Sequence, residues 1–236
     1  MAQGQVKSLS VFFPCYNESA NVVNVTDKAL TVLKGLGIDF EIIIVNDGSS
    51  DNTAAVADKL VLNDEHIKVV HHDKNRGYGA ALQSGFGAAS KEFVFYTDGD
   101  GQFDIAEMPL LLPLMNDCDI VSCYRIKRQD NLLRKINAFC WGTLVCCLFR
   151  MKLRDIDCAF KLFRRKIFDD IKMQSTGALI DTEILARAKR KGYRIIQKGV
   201  HHYPRTAGEQ TGANISVVLR AFKELFKLYK EIKKSN

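Results

Sequence analysis

Asp98 and Asp100 stand one residue apart in Asp98-Gly99-Asp100-Gly101-Gln102, directly after the apolar run Phe93–Thr97. Two carboxylates this close repel each other, and they become stable together when a divalent cation lies between them and a diphosphate. Hard oxygen donors suit Mg2+ or Mn2+, and glycine at 99 and 101 lets the backbone approach a ligand closely. Three other readings compete. An EF-hand loop needs glycine at its sixth position, where this one has Phe103. A D-x-D phosphatase nucleophile also follows a strand, but a Thr or Val would stand where Gly101 does. A plain turn is the third.

Other polar residues follow apolar runs in the same way. Asp47, in Asn46-Asp47-Gly48-Ser49, can accept hydrogen bonds from a base or a ribose. Its alternative is an N-cap, a job that Ser50 or Asp51 fits better. Glu18, in Pro14-Cys15-Tyr16-Asn17-Glu18, can bind ribose hydroxyls or simply serve as a first-turn glutamate favoured by the helix dipole. Arg125 closes a further run. Each has a plain structural explanation; their shared placement is what points to one site. Asn75-Arg76-Gly77-Tyr78-Gly79-Ala80 holds G-x-G without a third glycine in place, so it reads as a turn with tight helix packing and not as a dinucleotide fingerprint.

The elements that would position these residues alternate. Leu9–Phe13, Phe40–Val45, Ile67–Val70, Phe93–Thr97 and Ile120–Cys123 read as buried strands. Ser19–Leu36, Thr53–Asn63 and Gly79–Ala89 have helical spacing. This pattern predicts an α/β fold, a mostly parallel sheet with helices on both faces, whose ligands sit at the carboxyl ends of the strands. Farther on, the spacing predicts helices over Asn131–Phe149 and Thr182–Lys191, a strand over Tyr193–Val200 and a basic amphipathic helix over Ile215–Lys234. Residues 1–212 are expected to form one catalytic domain and 213–236 a helical appendage.

Composition bounds the function. The chain has 236 residues, 47% hydrophobic and 26% charged, which suits a packed globular protein and not a disordered one. Its longest apolar run, Ala138–Phe149, falls short of the roughly 20 residues that a membrane-crossing helix needs. Met1–Ser10 has no apolar leader core, and the seven cysteines form no C-x-x-C pair, so reduced thiols and a cytoplasmic location are expected. Residues 1–123 hold 8 Lys/Arg and 17 Asp/Glu; residues 124–236 hold 26 and 10. An acidic half followed by a basic half suggests a metal or sugar site and then an anionic partner. Aromatics are not interleaved as in a nucleic-acid platform, so nucleic acid is not expected.

These motifs together resemble glycosyltransferase family 2, most closely its dolichol-phosphate and polyprenyl-phosphate mannose or glucose synthase branch. The resemblance spans roughly residues 8–210 and rests on Pro14–Glu18, Val45–Thr53, Asn75–Ala80 and Asp98–Gln102. It implies a GT-A fold and a GDP- or UDP-sugar donor. Pro14, Tyr16, Glu18, Val45 and Asp47 would hold the nucleoside; Asp98, Gly99, Asp100 and Gln102 would surround the diphosphate, with Asp98, Asp100 and Gln102 on the metal. Arg125 falls where the synthases bind phosphate, and Arg205 matches a basic residue on the loop covering the donor. A lysine six residues after that arginine is replaced here by Thr211, and the synthases' Ser-Gly-Phe-Arg-like segment is altered to Asp157-Cys158-Ala159-Phe160-Lys161.

The reaction these parts imply is inverting attack on the anomeric carbon. A polyprenyl phosphate acceptor is already anionic and needs no strong base; Arg125 and Arg134 would position it. A sugar hydroxyl would need a base, and Asp181 falls where hydroxyl-using relatives carry one, although Ile180 replaces the usual glutamate. Asp181 also reads as an N-cap for a helix beginning at Thr182. Residues 124–166, with 12 Lys/Arg and 3 Asp/Glu around the apolar run, and the helix over 215–236 could meet an anionic bilayer or a membrane-anchoring partner protein. Core packing and an oligomer contact are the alternatives for that helix. A peripheral position on the cytoplasmic face is expected, and a non-catalytic sugar-nucleotide binder is the remaining reading.

Overall fold

A computed structural model describes residues 6–126, 132–205 and 215–234, with side chains except at 132–139, 215–221 and 223. Arg134 therefore has no described side chain, and Thr211 lies outside the described residues. The chain runs β1 (Ser8–Cys15), α1 (Val22–Leu36), β2 (Asp39–Asn46), α2 (Thr53–Asn63), β3 (Ile67–His71), α3 (Tyr78–Ala88) and β4 (Phe93–Thr97), close to the elements expected from periodicity. A 3-10 segment, Ile105–Asn116, follows; Pro109 and Pro113 inside it cannot donate α-helical hydrogen bonds. Then come β5 (Ile120–Ile126), α4 (Leu132–Leu148), β6 (Phe160–Arg164), α5 (Ile167–Asp170), α6 (Ile180–Arg190), β7 (Ile195–His201) and α7 (Ile215–Lys234).

One seven-stranded sheet has the order β3-β2-β1-β4-β6-β5-β7. Every pairing is parallel except those of β6, which is antiparallel to both neighbours. Apolar side chains fill both faces: Leu9, Val11 and Phe13 pack on one, Phe12, Ile43 and Val45 on the other, as in a sheet covered twice. The strand order reverses between β1 and β4, and crevices open at such switch points. α7 packs Leu225, Leu228 and Ile232 into the core beside α6, and Phe149 meets Tyr229 edge to face. All seven cysteines are free thiols.

β6 is the strand that sequence periodicity missed, as it missed the 3-10 segment and α5. Lys161 interrupts its short apolar run, yet it sits opposite Tyr96 of β4 and Ser122 of β5 in mid-sheet, fully buried. Its ammonium donates to Asp181 Oδ1 at 2.7 Å, to the Cys158 carbonyl at 2.6 Å and to Tyr96 Oη at 3.1 Å. A buried charge needs such partners. Asp181 also accepts from the Tyr96 hydroxyl. The N-cap expected of Asp181 is not formed: the helix starts at Ile180, so Asp181 lies in its first turn with its carboxylate turned onto the sheet. Lys161→Ala would strand that carboxylate, and it is expected to lower stability by about 3–5 kcal/mol; urea unfolding of variant and parent checks this.

Candidate active site

Parallel packing of β1, β2 and β4 brings three polar strand ends to one rim. Between them lies a cavity of about 600 Å³. Pro14, Tyr16 and Glu18 line it from the end of β1, Asp47 from β2, and Asp98, Gly99 and Asp100 from β4; Arg205, four residues past β7, closes one side. Val45, Gln102, Arg125 and Asp181 are not among the lining residues. Gly99 is required by close approach, since a Cβ there would lie 2.5 Å from Cys15 Sγ. Gly79 packs equally tightly, with a Cβ position 2.4 Å from the Ser175 carbonyl, as the expected tight packing requires, but Gly77 and Tyr78 also line the cavity, which that reading did not anticipate.

Asp98 and Asp100 meet at the end of β4. Asp98 Oδ1 accepts from the Tyr78 hydroxyl at 3.0 Å, and Asp100 Oδ1 from the Gln102 backbone at 3.0 Å. Enclosure by protein and the neighbouring Asp100 charge raise the Asp98 carboxyl to about 7, against the lowering effect of the Tyr78 hydrogen bond. A site that disfavours its own ionised form this strongly is short of positive charge. Among the described residues no three His, Cys, Asp or Glu converge as a complete metal cage. Two carboxylates with open space beside them still match the habit of Mg2+, which takes one or two carboxylates and completes its shell with water and phosphate.

Arg205 supplies one cation. Its guanidinium bonds Glu18 Oε1 at 2.5 Å and stands 3.7 Å from Asp100 Oδ2. The second Glu18 oxygen accepts from Asn21 at 2.7 Å. The Gln102 carboxamide donates to the Tyr203 carbonyl at 3.0 Å, and Tyr203 N–H returns a bond to the Gln102 carbonyl, so the turn after Asp100 anchors the segment that carries Arg205.

Asp47 is the most constrained group. Its Oδ1 accepts from His72 Nδ1 at 2.6 Å and from Arg76 N–H at 2.9 Å, and its Oδ2 from Gly77 N–H at 2.9 Å. Both side chains are buried. An ionised carboxylate only accepts, so Nδ1 carries the proton, and His72 Nε2 meets Ser84 Oγ at 2.8 Å. Sequence reasoning passed over His72; a polar residue just beyond the apolar end of β3 was the available signal.

On the far side, Arg125 forms a two-pronged pair with Asp155, Nε to Oδ2 at 2.7 Å and Nη2 to Oδ1 at 2.8 Å. Burial works against its charge, but the Asp155 hydrogen bonds outweigh that and hold the guanidinium above its ordinary pKa. Asp157 is open to solvent, yet the protein around it and the Asp181 charge raise its carboxyl to about 6.

The sequence model of Glycosyl transferase family 2 matches residues 10–172, more than half of the chain. Glycosyltransferase AglD of Haloferax volcanii is 31% identical over 207 residues, covering 84% of this chain and 33% of that protein. The chain thus spans about a third of the length of that curated relative. Among solved structures, glucosyl-3-phosphoglycerate synthase from Mycobacterium tuberculosis in complex with Mn2+, UDP-glucose and phosphoglyceric acid has a TM-score of 0.74 at 16% identity, covering 96% of this chain and 79% of that one. Mannosyl-3-phosphoglycerate synthase from Rubrobacter xylanophilus has 0.71 at 18% identity, covering 98% and 76%. These likenesses show the expected GT-A fold.

A carboxyl whose folded pKa lies above its unfolded value binds the extra proton in the folded state, so its contribution to stability falls as pH rises through the folded pKa. Asp98→Asn is therefore expected to raise the metal-free Tm at pH 8 by a few degrees while abolishing stabilisation by Mn2+. In the parent, Mn2+ affinity should weaken below about pH 7, where a proton competes for Asp98. Thermal melts across pH, with and without Mn2+, check both.

Proposed function

Because the chain belongs to glycosyl transferase family 2, we propose that it is an inverting, metal-dependent glycosyltransferase that moves a hexose from a nucleotide-diphosphate sugar to a polyprenyl phosphate at a membrane surface. The observation that carries this reading is the convergence of Asp47, Asp98, Asp100, Glu18 and Arg205 on one cavity at the sheet's switch point. The Mn2+ and UDP-glucose in the M. tuberculosis complex support it by likeness of fold.

Asp47 would receive the base, with Tyr16 and Pro14 as walls, Val45 behind them in the core and Glu18 on the ribose. Mg2+ or Mn2+ held by Asp98 and Asp100 would offset the charge of the departing diphosphate. Arg205 would add a second cationic contact to the same group. Gln102 serves both ends of this arrangement, placed beside the metal carboxylates and tethering Arg205 through Tyr203. The acceptor oxygen attacks the anomeric carbon from the face opposite the leaving diphosphate, which inverts it.

The acceptor side favours an anion that needs no base. Asp181, the base a hydroxyl acceptor would use, is sealed beneath Lys161 and Tyr96. Arg125 commits two of its five N–H donors to Asp155, and its remaining edge, with Arg134, would meet a phosphate. No helix among the described residues is long and apolar enough to cross a membrane. We take 213–236 as the appendage that faces the bilayer or a membrane-anchoring partner: α7 keeps Phe226 and Lys227 outward while its other face packs on the domain. On this reading the protein would sit peripherally on the cytoplasmic face.

A hydroxyl acceptor is the second reading, favoured by one observation. Asp157 is a solvent-accessible carboxylate beside the Arg125–Asp155 pair in sequence, able to accept a proton from a hydroxyl, although it does not line the cavity. The purified protein, Mn2+, a polyprenyl phosphate and radiolabelled nucleotide sugars decide between them. Metal-dependent label in the organic phase, lost by at least ~100-fold in Asp100→Ala, is the expected result. Label confined to a water-soluble product, abolished in Asp157→Asn, would move the assignment to the hydroxyl acceptor.

A further inference from the structure

The hydrogen bonds already made by Asp47 restrict what its carboxylate can still recognise. Each carboxylate oxygen offers two in-plane acceptor positions. On Oδ1 both are filled, by His72 Nδ1 and Arg76 N–H; on Oδ2 one is filled, by Gly77 N–H. One acceptor position, on Oδ2, is left on a side chain that lines the cavity. The group cannot swing to expose more. His72 is itself held by Ser84, and Gly48 brings the backbone after Asp47 so close to the 74–75 segment that a Cβ there would lie 2.2 Å from the Lys74 carbonyl carbon.

A base edge that suits this carboxylate presents one N–H donor. Guanine presents two side by side, a ring N–H and an exocyclic amino group, and pairs with a carboxylate by using both oxygens. Here Oδ1 is spent, so one guanine donor would be buried unmet. Adenine and cytosine place a ring-nitrogen lone pair on the same edge, facing a negative charge. Uracil presents a single imide N–H.

We propose that the donor is a uridine-diphosphate sugar, and that His72 enforces the choice by occupying the Asp47 acceptor position that guanine would need. This rests on the reading that the cavity holds a nucleotide-diphosphate sugar. His72 is a positioning residue: it acts through Asp47 and does not touch the base.

Titration calorimetry of the full chain in Mn2+ with UDP, GDP, CDP and ADP tests the proposal. UDP is expected to bind about tenfold or more tightly than each of the others, the size of effect that one buried unmet donor produces. His72→Ala frees one of the two Oδ1 positions, the other staying with Arg76 N–H, and should draw the UDP-to-GDP ratio toward one, whereas His72→Gln, whose amide can still donate to Asp47, should keep it. A thermal melt confirms that each variant is folded; if His72→Ala is not, the parent ratio and His72→Gln still decide. Parent protein that binds GDP as tightly as UDP overturns the uracil assignment, and an unchanged ratio in folded His72→Ala overturns the role of His72. Binding of no nucleotide overturns the nucleotide-sugar reading itself.

Discussion

Carboxylates gathered at the carboxyl ends of neighbouring parallel strands repel one another, and the rest of the site is arranged around that repulsion. Asp98 and Asp100 sit side by side, and burial first, with the Asp100 charge second, raises the Asp98 carboxyl. Relief comes from two cations: Arg205 spans Glu18 and Asp100 at the cavity, and the buried Lys161 acts on Asp98 from beside Asp181. What remains uncompensated is the mouth of the cavity, where the metal-diphosphate reading puts positive charge. In that reading the negative charge left at the mouth would be the binding determinant for the cation.

The fold holds that arrangement in place. β1 and β4 pair in parallel and the strand order reverses between them, which puts the crevice at their carboxyl ends. Gly99 lets β4 approach Cys15 closely, and Gln102 ties the turn after Asp100 to the backbone that carries Arg205. Lys161 links β6, β4 and α6 through one ammonium group, so the floor cannot shift without breaking a buried ion pair. Preorganised charges of this kind stabilise charge that develops in a reaction without reorganising when it does.

Local patterns in the chain identified much of this. Strand ends followed by Asp, Asn and Gly are visible at 46–48 and 98–101, because each is a short-range signature: an apolar run, then a turn, then an acid. Long-range contacts were not legible. The Arg125 partner lies thirty residues away, and nothing near Arg125 announces Asp155. Lys161 interrupts the short apolar run of β6, so periodicity predicts no strand there, although the lysine is the buried counter-ion of Asp181. Asp181 read as a cap because it precedes a helical pattern, but tertiary pairing moved the helix start to Ile180 and turned the carboxylate inward. His72 belongs to no motif in the sequence; the pairing of β2 with β3 brings it to Asp47.

Diffraction from crystals grown with Mn2+ and a nucleoside diphosphate, recorded where manganese scatters anomalously, tests the central claim most directly. The account predicts one anomalous peak in contact with Asp98, Asp100 and the diphosphate oxygens, with the base seated against Asp47 and Arg205 turned to the diphosphate. A peak elsewhere, or a nucleotide bound in this cavity with no metal between it and the two carboxylates, would contradict it.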